Sequence, residues 1–268
     1  FLADRYLEMD RLRTVMLSLF HVGVPTLMVF LQPDLGTATV MVFVWFVMAW
    51  AAGLRLKHIG MFALVGLSLM PVVWAAMEDY QRQRIITFID TGESCYDDPE
   101  LMRSGECVFV DEDGNGIPDN KDRRYNIDQA LISIGSGGFM GKGYANGSQT
   151  QGRFLRVRHT DFIFSVIAEE LGFVGATSVI ILIGIVIWRC LLGAARAADP
   201  VGSLICYGVG GMIFFQTIVS IGMNLSILPV TGLTLPFVSS GGSSLLTTML
   251  GIGLVESVVM RRRVRELV

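Results

Sequence analysis

The sequence predicts an all-α, polytopic membrane protein, and three observations carry that expectation. Of its 268 residues, 52% are hydrophobic and only 17% are charged, with a mean hydropathy of +0.55. A soluble domain of this size carries about a quarter charged residues. The deficit is also uneven, because 15 of the 24 acidic and 10 of the 21 basic residues fall within residues 78–161. The remainder forms six nearly uncharged stretches, each long enough or almost long enough to cross a bilayer. A net charge of -3 averages these two regions and gives no reason to expect nucleic acid as a partner.

The chain opens at Phe1 with a polar, amphipathic run to Arg13 and shows no signal peptide. The expectation is that earlier membrane segments precede it in a longer protein. Apolar stretches then follow at about 14–31, 36–53 and 59–77, so that residues 1–77 form three transmembrane helices with a cytoplasmic N-terminal segment. Residues 78–161 make one long polar loop. Three further spans, at about 162–188, 202–223 and 237–259, fill residues 162–260, and residues 261–268 form a basic tail.

Lys and Arg in the short connections set the orientation. Residues 1–13, 54–58, 189–200 and 260–268 hold Arg5, Arg11, Arg13, Arg55, Lys57, Arg189, Arg196, Arg261, Arg262, Arg263 and Arg265. The opposite short connections, 32–35 and 224–236, hold none. The basic side is therefore expected in the cytoplasm and the long loop outside it. Cys190 and Cys206 fall in or beside apolar stretches, whereas Cys95 and Cys107 share the loop and could pair in an oxidising compartment.

Five stretches exceed what a generic membrane helix needs. Gln32–Thr37 forms a corner in which Asp34 is expected to cap the next helix, with a direct substrate role as the alternative. Arg82 and Arg84, just past the third span, could meet lipid headgroups or hold a pyrophosphate. Residues 125–151 contain Gly135-Ser136-Gly137-Gly138-Phe139-Met140-Gly141-Lys142-Gly143. A nucleotide-binding loop would need Ser or Thr after its Gly-Lys, so that reading is rejected. Close-packed glycine backbone lining a cavity suits it better, with Lys142 available to an anion. His159-Thr160-Asp161-Phe162 opens the fourth span, where Asp161 is either an N-cap or a partly desolvated general base. Finally, Asn224 and the run from Leu228 to Ser244, with Pro229 and Pro236, describe an irregular connection that packs closely or lines a groove.

In this order the five stretches resemble the SEDS family (shape, elongation, division and sporulation), whose members include RodA, FtsW and SpoVE. Gln32–Thr37, Gln81-Arg82-Gln83-Arg84, Tyr125-Asn126 and Gln149-Thr150-Gln151 look more like the RodA branch. The resemblance implies the last six helices of a ten-helix fold in the bacterial cytoplasmic (inner) membrane. It implies a peptidoglycan glycosyltransferase that polymerises lipid II for cell-wall elongation and rod shape, with its active site on the extracytoplasmic face. Expected partners are lipid II, a class B penicillin-binding protein, other cell-elongation proteins and membrane lipids. The family's essential aspartate falls at Asp161, expected to take the proton of the attacking sugar hydroxyl. Expected substrate-binding residues are Lys142, Arg82, Arg84, Gln149, His159 and Asn224, with a divalent cation, Mg or Mn, aiding the transfer. A lipid II flippase is the main alternative, and a non-catalytic membrane scaffold for the penicillin-binding protein is the other. Few ionisable residues sit near helix midpoints, which favours surface chemistry over transport.

An insertion at about 93–123 departs from the family pattern. Within it, residues 111–122 read as a calcium loop, with Asp111, Asp113, Asn115, the Ile117 carbonyl, Asp119 and Asp122 as ligands and Gly116 at the turn. Structural Ca is expected there, although no flanking helix pattern supports a complete EF-hand. A second departure is Arg156-Val157-Arg158 where the family often has Pro, adding positive charge beside Asp161.

Overall fold

The computed structural model describes residues 1–32, 34–77, 82, 85, 88, 119–148 and 160–266. A short 3-10 turn at Tyr6–Glu8 precedes seven helices among the described residues: α1 Leu12–Phe30, α2 Leu35–Ala51, α3 Leu56–Ala76, α4 Asp119–Gly137, α5 Ile163–Ala195, α6 Pro200–Asn224 and α7 Gly242–Glu266. No strand occurs among the described residues. The all-α expectation is met, and five of these helices are long and apolar enough to cross a membrane. The remaining apolar helix, α2, has 17 residues. At 1.5 Å per residue it spans roughly 25 Å, slightly less than a hydrocarbon core.

Local signals explain the helix ends. Asp34 accepts hydrogen bonds from the Thr37 amide at 3.0 Å and the Thr37 hydroxyl at 2.6 Å, so it caps α2 as expected. Pro200 occupies the first position of α6, where its missing N–H costs nothing. Arg82 closes the far end of α3, donating from Nε to the Trp74 carbonyl at 3.0 Å and from Nη2 to the Ala75 carbonyl at 2.8 Å.

Three boundaries differ from the expected ones. Helix α5 continues to Ala195, so Arg189 is helical instead of lying in a connection. Helix α7 begins at Gly242 and runs through the expected tail to Glu266. Within the stretch expected as loop, residues 119–137 form α4. A run of polar, Gly- and Ser-containing residues carries no clear apolar stripe, so the sequence does not announce this helix; packing against α5 supports it.

Helix α6 lies at the centre, against α2, α5 and α7, with a smaller contact to α4. Its glycines permit this. A Cβ on Gly211 would press on Val47 of α2, one on Gly210 on Cys190 of α5, and one on Gly202 on Val258 of α7. One apolar cluster gathers α5, α6 and the segment between α6 and α7 around Phe164, Ile183, Ile213 and Leu235. A second joins Met9, Val15, Trp45, Ala49 and Leu204, folding the N-terminal segment back against α1, α2 and α6. Arg55 reinforces it from the start of α3 with an ion pair to Asp10 at 2.9 Å.

Candidate active site where α5 begins and α6 ends

Asp161 stands two residues before α5, and its backbone is held from two directions. Asn224, the last residue of α6, donates from Nδ2 to the Asp161 carbonyl at 2.9 Å. The same amide donates to the Ser220 carbonyl at 2.7 Å, while Oδ1 accepts from the Ser165 amide at 3.1 Å and the Ser165 hydroxyl at 2.7 Å. From the segment between α6 and α7, Ser239 donates to the Thr160 carbonyl at 2.8 Å and accepts from the Leu235 amide at 2.9 Å. The bonds from Asn224 and Ser239 reach back 63 and 79 residues, yet they converge on two consecutive peptide units.

Asp161 is half-buried. Beside it lies Gly232, in the left-handed region with φ +76°, where a Cβ would stand 4.0 Å from Asp161 Oδ2. A side chain there would be conformationally strained, with its Cβ in ordinary contact with the carboxylate. The α1–α2 corner reaches the same segment, since a Cβ on Gly36 would press against the Thr231 carbonyl and the Leu233 side chain. Three of the five sequence stretches therefore meet at this end of the bundle.

The glycine-rich stretch meets α5 one layer deeper. Gly172 has φ +69° and ψ -167°, which breaks α5 into 163–171 and 173–195. The turn after α4 docks into the break through backbone bonds. The Lys142 amide donates to the Glu169 carbonyl at 3.0 Å and the Gly143 amide to the Glu170 carbonyl at 2.9 Å, while the Phe173 amide donates to the Gly138 carbonyl at 3.0 Å. Groups freed by the kink are thus satisfied. A Cβ on Gly137 would collide with the Ala168 carbonyl, and one on Gly141 with the Glu170 carbonyl.

This docking brings Lys142 to Glu169. The ammonium donates to Glu169 Oε1 at 2.9 Å, Ser136 Oγ at 2.7 Å and Ser148 Oγ at 2.7 Å. All three donors of the ammonium are therefore used. The Glu169 side chain is 0% exposed and that of Lys142 28% exposed. A buried acid at this depth persists because a cation and the Ser148 hydroxyl bond to it.

These geometries revise several expected roles. Asn224 is completely buried with both amide atoms bonded, so it positions the Asp161 peptide and offers no group to a substrate. The charge of Lys142 is already balanced by Glu169, which makes it a poor free anion ligand. Arg82 uses at least two of its donors on α3 carbonyls, a helix-capping role. Arg84, Gln149 and His159 lie outside the described residues, as do Asp111, Asp113, Asn115, Ile117, Cys95 and Cys107. Asp119 and Asp122 fall in the first turn of α4 by backbone, with their side chains outside the described part of the molecule. Among the described residues no group of three or more His, Cys, Asp or Glu stands together to hold a metal ion.

Ser165, Ser239, Gly232 and Glu169 receive no role of their own from the sequence, yet they shape the site. For Glu169 a signal exists, because an acid inside a long apolar helix needs a partner. For Ser165 and Ser239 there is none, since buried serines are common and their bonds are long-range.

The chain matches the family described as cell cycle protein, of the FtsW, RodA and SpoVE group, over residues 2–264. It is 38% identical over 253 residues to peptidoglycan glycosyltransferase MrdB of Escherichia coli K12, covering 94% of this chain and 62% of that protein. The chain thus spans less than two thirds of that relative's length. Among solved structures it resembles a chain of a peptidoglycan synthase complex that coordinates polymerization and crosslinking, with TM-score 0.65 and 33% identity over 92% of this chain and 61% of that one. It also resembles an Asp-to-Ala variant of the Thermus thermophilus rod shape determining protein RodA, with TM-score 0.55 and 29% identity, covering 94% of this chain and 60% of that one.

Proposed function

The chain belongs to the FtsW, RodA and SpoVE family of cell cycle proteins, and from that membership we propose that it is the greater part of a peptidoglycan glycosyltransferase. In this reading it polymerises lipid II at the extracytoplasmic face of the bacterial inner membrane, with six spans in this chain and residues 78–161 outside. A class B penicillin-binding protein and other cell-elongation proteins work beside it, in contact with membrane lipids.

The observation that carries the reading is the fixation of Asp161. Asn224 and Ser239 lock the peptides on either side of its Cα, and the carboxylate lies beside Gly232, where a Cβ would stand 4.0 Å from Oδ2. A base held this way needs little reorganisation when a substrate hydroxyl approaches. The sugar hydroxyl of one precursor attacks the anomeric carbon of another. The new C–O bond forms as the bond to undecaprenyl pyrophosphate breaks, and Asp161 accepts the hydroxyl proton. The departing pyrophosphate needs positive charge. With Lys142 and Arg82 committed elsewhere, Arg84, His159 and the neighbouring Arg156 and Arg158 are the proposed sources, together with Gln149 as a hydrogen-bonding group. A divalent cation, Mg or Mn, would add positive charge at the leaving pyrophosphate in this reading, and no step is assigned to it.

The test uses the full-length protein with its penicillin-binding partner and labelled lipid II. Wild type should yield glycan polymer on a gel, and Asp161→Asn should yield none while melting close to the wild-type temperature. Polymer from the variant at near-normal rate would remove the enzyme reading, whereas lipid movement across vesicles without polymer would favour transport.

A further inference from the structure

At the opposite end of the bundle from Asp161, an open cavity of about 600 Å³ lies between α5 and α7. Its walls include Val186, Ile252 and Val259, and three charged residues line it: Arg189 and Arg196 on α5, and Glu256 on α7. The two arginines are seven residues apart, which places them on one helix face about 10 Å apart along the axis.

Arg189 lies well inside the apolar span. Beyond the Gly172 break, α5 runs from 173 to 195, so Arg189 sits nearly two turns before its end. A guanidinium at that depth is expensive unless it reaches the interface or finds an anion. Among the described residues no side-chain hydrogen bond or ion pair engages Arg189, Arg196 or Glu256. Two positive charges against one negative leave the cavity cationic. The helix that forms its other wall continues into Arg261, Arg262, Arg263 and Arg265.

We propose that this cavity binds the phosphate of an anionic membrane phospholipid, held by Arg189 and Arg196, with the start of the acyl chains against the apolar wall. Guanidinium groups suit phosphate oxygens because their paired N–H donors match the oxygen spacing. The basic connections make this the cytoplasmic side in the proposed topology, the leaflet side on which basic pockets between helices meet anionic headgroups. Glu256 narrows the choice by disfavouring a second negative charge on the headgroup.

The proposal is tested with the full-length protein in neutral detergent, titrated with phosphatidylglycerol or phosphatidylcholine and read by native mass spectrometry. Wild type should retain phosphatidylglycerol about ten-fold more tightly, the effect of one or two charge-assisted contacts. The Arg189→Gln, Arg196→Gln double variant should lose that preference. Glu256→Gln, which keeps both arginines, should bind phosphatidylglycerol more tightly than wild type, and it serves as the deciding variant if the double change does not fold. Equal retention of both lipids, an undiminished preference in the double variant, or no gain from Glu256→Gln would overturn the proposal. Displacement of the lipid by inorganic phosphate at equal concentration would mark a free-anion site and overturn the lipid assignment.

Discussion

The ammonium of Lys142 lies 2.9 Å from the carboxylate of Glu169, joining the glycine-rich turn after α4 to the kinked segment of α5. Twenty-seven residues separate them in sequence. Glu169 is wholly buried, and Ser148 donates to the same Glu169 oxygen at 3.3 Å. Glu169 lies on the short helical segment that follows Asp161, so the pair ties the glycine-rich turn to the segment that carries the candidate site.

Breaking this pair by Glu169→Gln should destabilise the protein by about 3 kcal/mol, the lower end for an ion pair that is buried on one side and partly exposed on the other. The drop is read as a lowered melting temperature in detergent. The double change Glu169→Gln, Lys142→Met should cost less than the sum of the singles, because it removes the uncompensated charge. Additive losses would show that the two side chains do not act together.

Gly141 has φ +78°, and a Cβ there would collide with the Glu170 carbonyl. Gly141→Ala should therefore cost at least about 1–3 kcal/mol from backbone conformation alone, with the collision adding to it. A Cβ on Gly135 would meet nothing within 4 Å, and Gly135 is helical, so Gly135→Ala is the control. It should melt at or slightly above the wild-type temperature.

Asn224→Ala removes the acceptor for the Ser165 amide and the donor to the Asp161 carbonyl. Unpaired buried groups of this kind cost about 1–3 kcal/mol. Under the proposed mechanism polymerisation should fall through kcat with KM for lipid II little changed, since Asn224 does not face a substrate. A rise in KM alone would return Asn224 to substrate binding.

Asp161→Asn should lower glycan synthesis by roughly 100- to 10,000-fold, the range for loss of a positioned base. Melting should change little, because the bonds from Asn224 and Ser239 that fix this stretch end on the backbone carbonyls of Asp161 and Thr160. A large drop in melting temperature would assign the carboxylate a structural part instead.

Calcium binding is a further proposal from residues 111–122. It rests on oxygen-bearing residues at positions 1, 3, 5, 9 and 12 of that loop and on Gly116 at position 6. The full-length protein should bind calcium at sub-millimolar concentration, in the range of extracellular modules. The Asp111→Asn, Asp113→Asn variant should lose that binding in calorimetry, and equal heats from both proteins would remove the idea.

Much of this protein is written in local sequence. Apolar stretches of fixed length set the membrane-spanning helices, because a bilayer tolerates little else. The Asp34 cap follows from an acid placed three residues before Thr37. The ordered motifs suffice to recognise the family. What tertiary structure alone decided are the roles that depend on partners far along the chain. By sequence Lys142 is a free cation; the Gly172 kink receives the glycine-rich turn and delivers Glu169 to it. By sequence Asn224 either packs closely or lines a groove; the end of α6 comes against the start of α5 and consumes its bonds. Arg82 has the chemistry of a phosphate ligand, but the last turn of α3 offers it carbonyls. Each outcome rests on desolvation: a polar group taken from water must be matched by whichever group the fold brings to it, and sequence spacing does not identify that group.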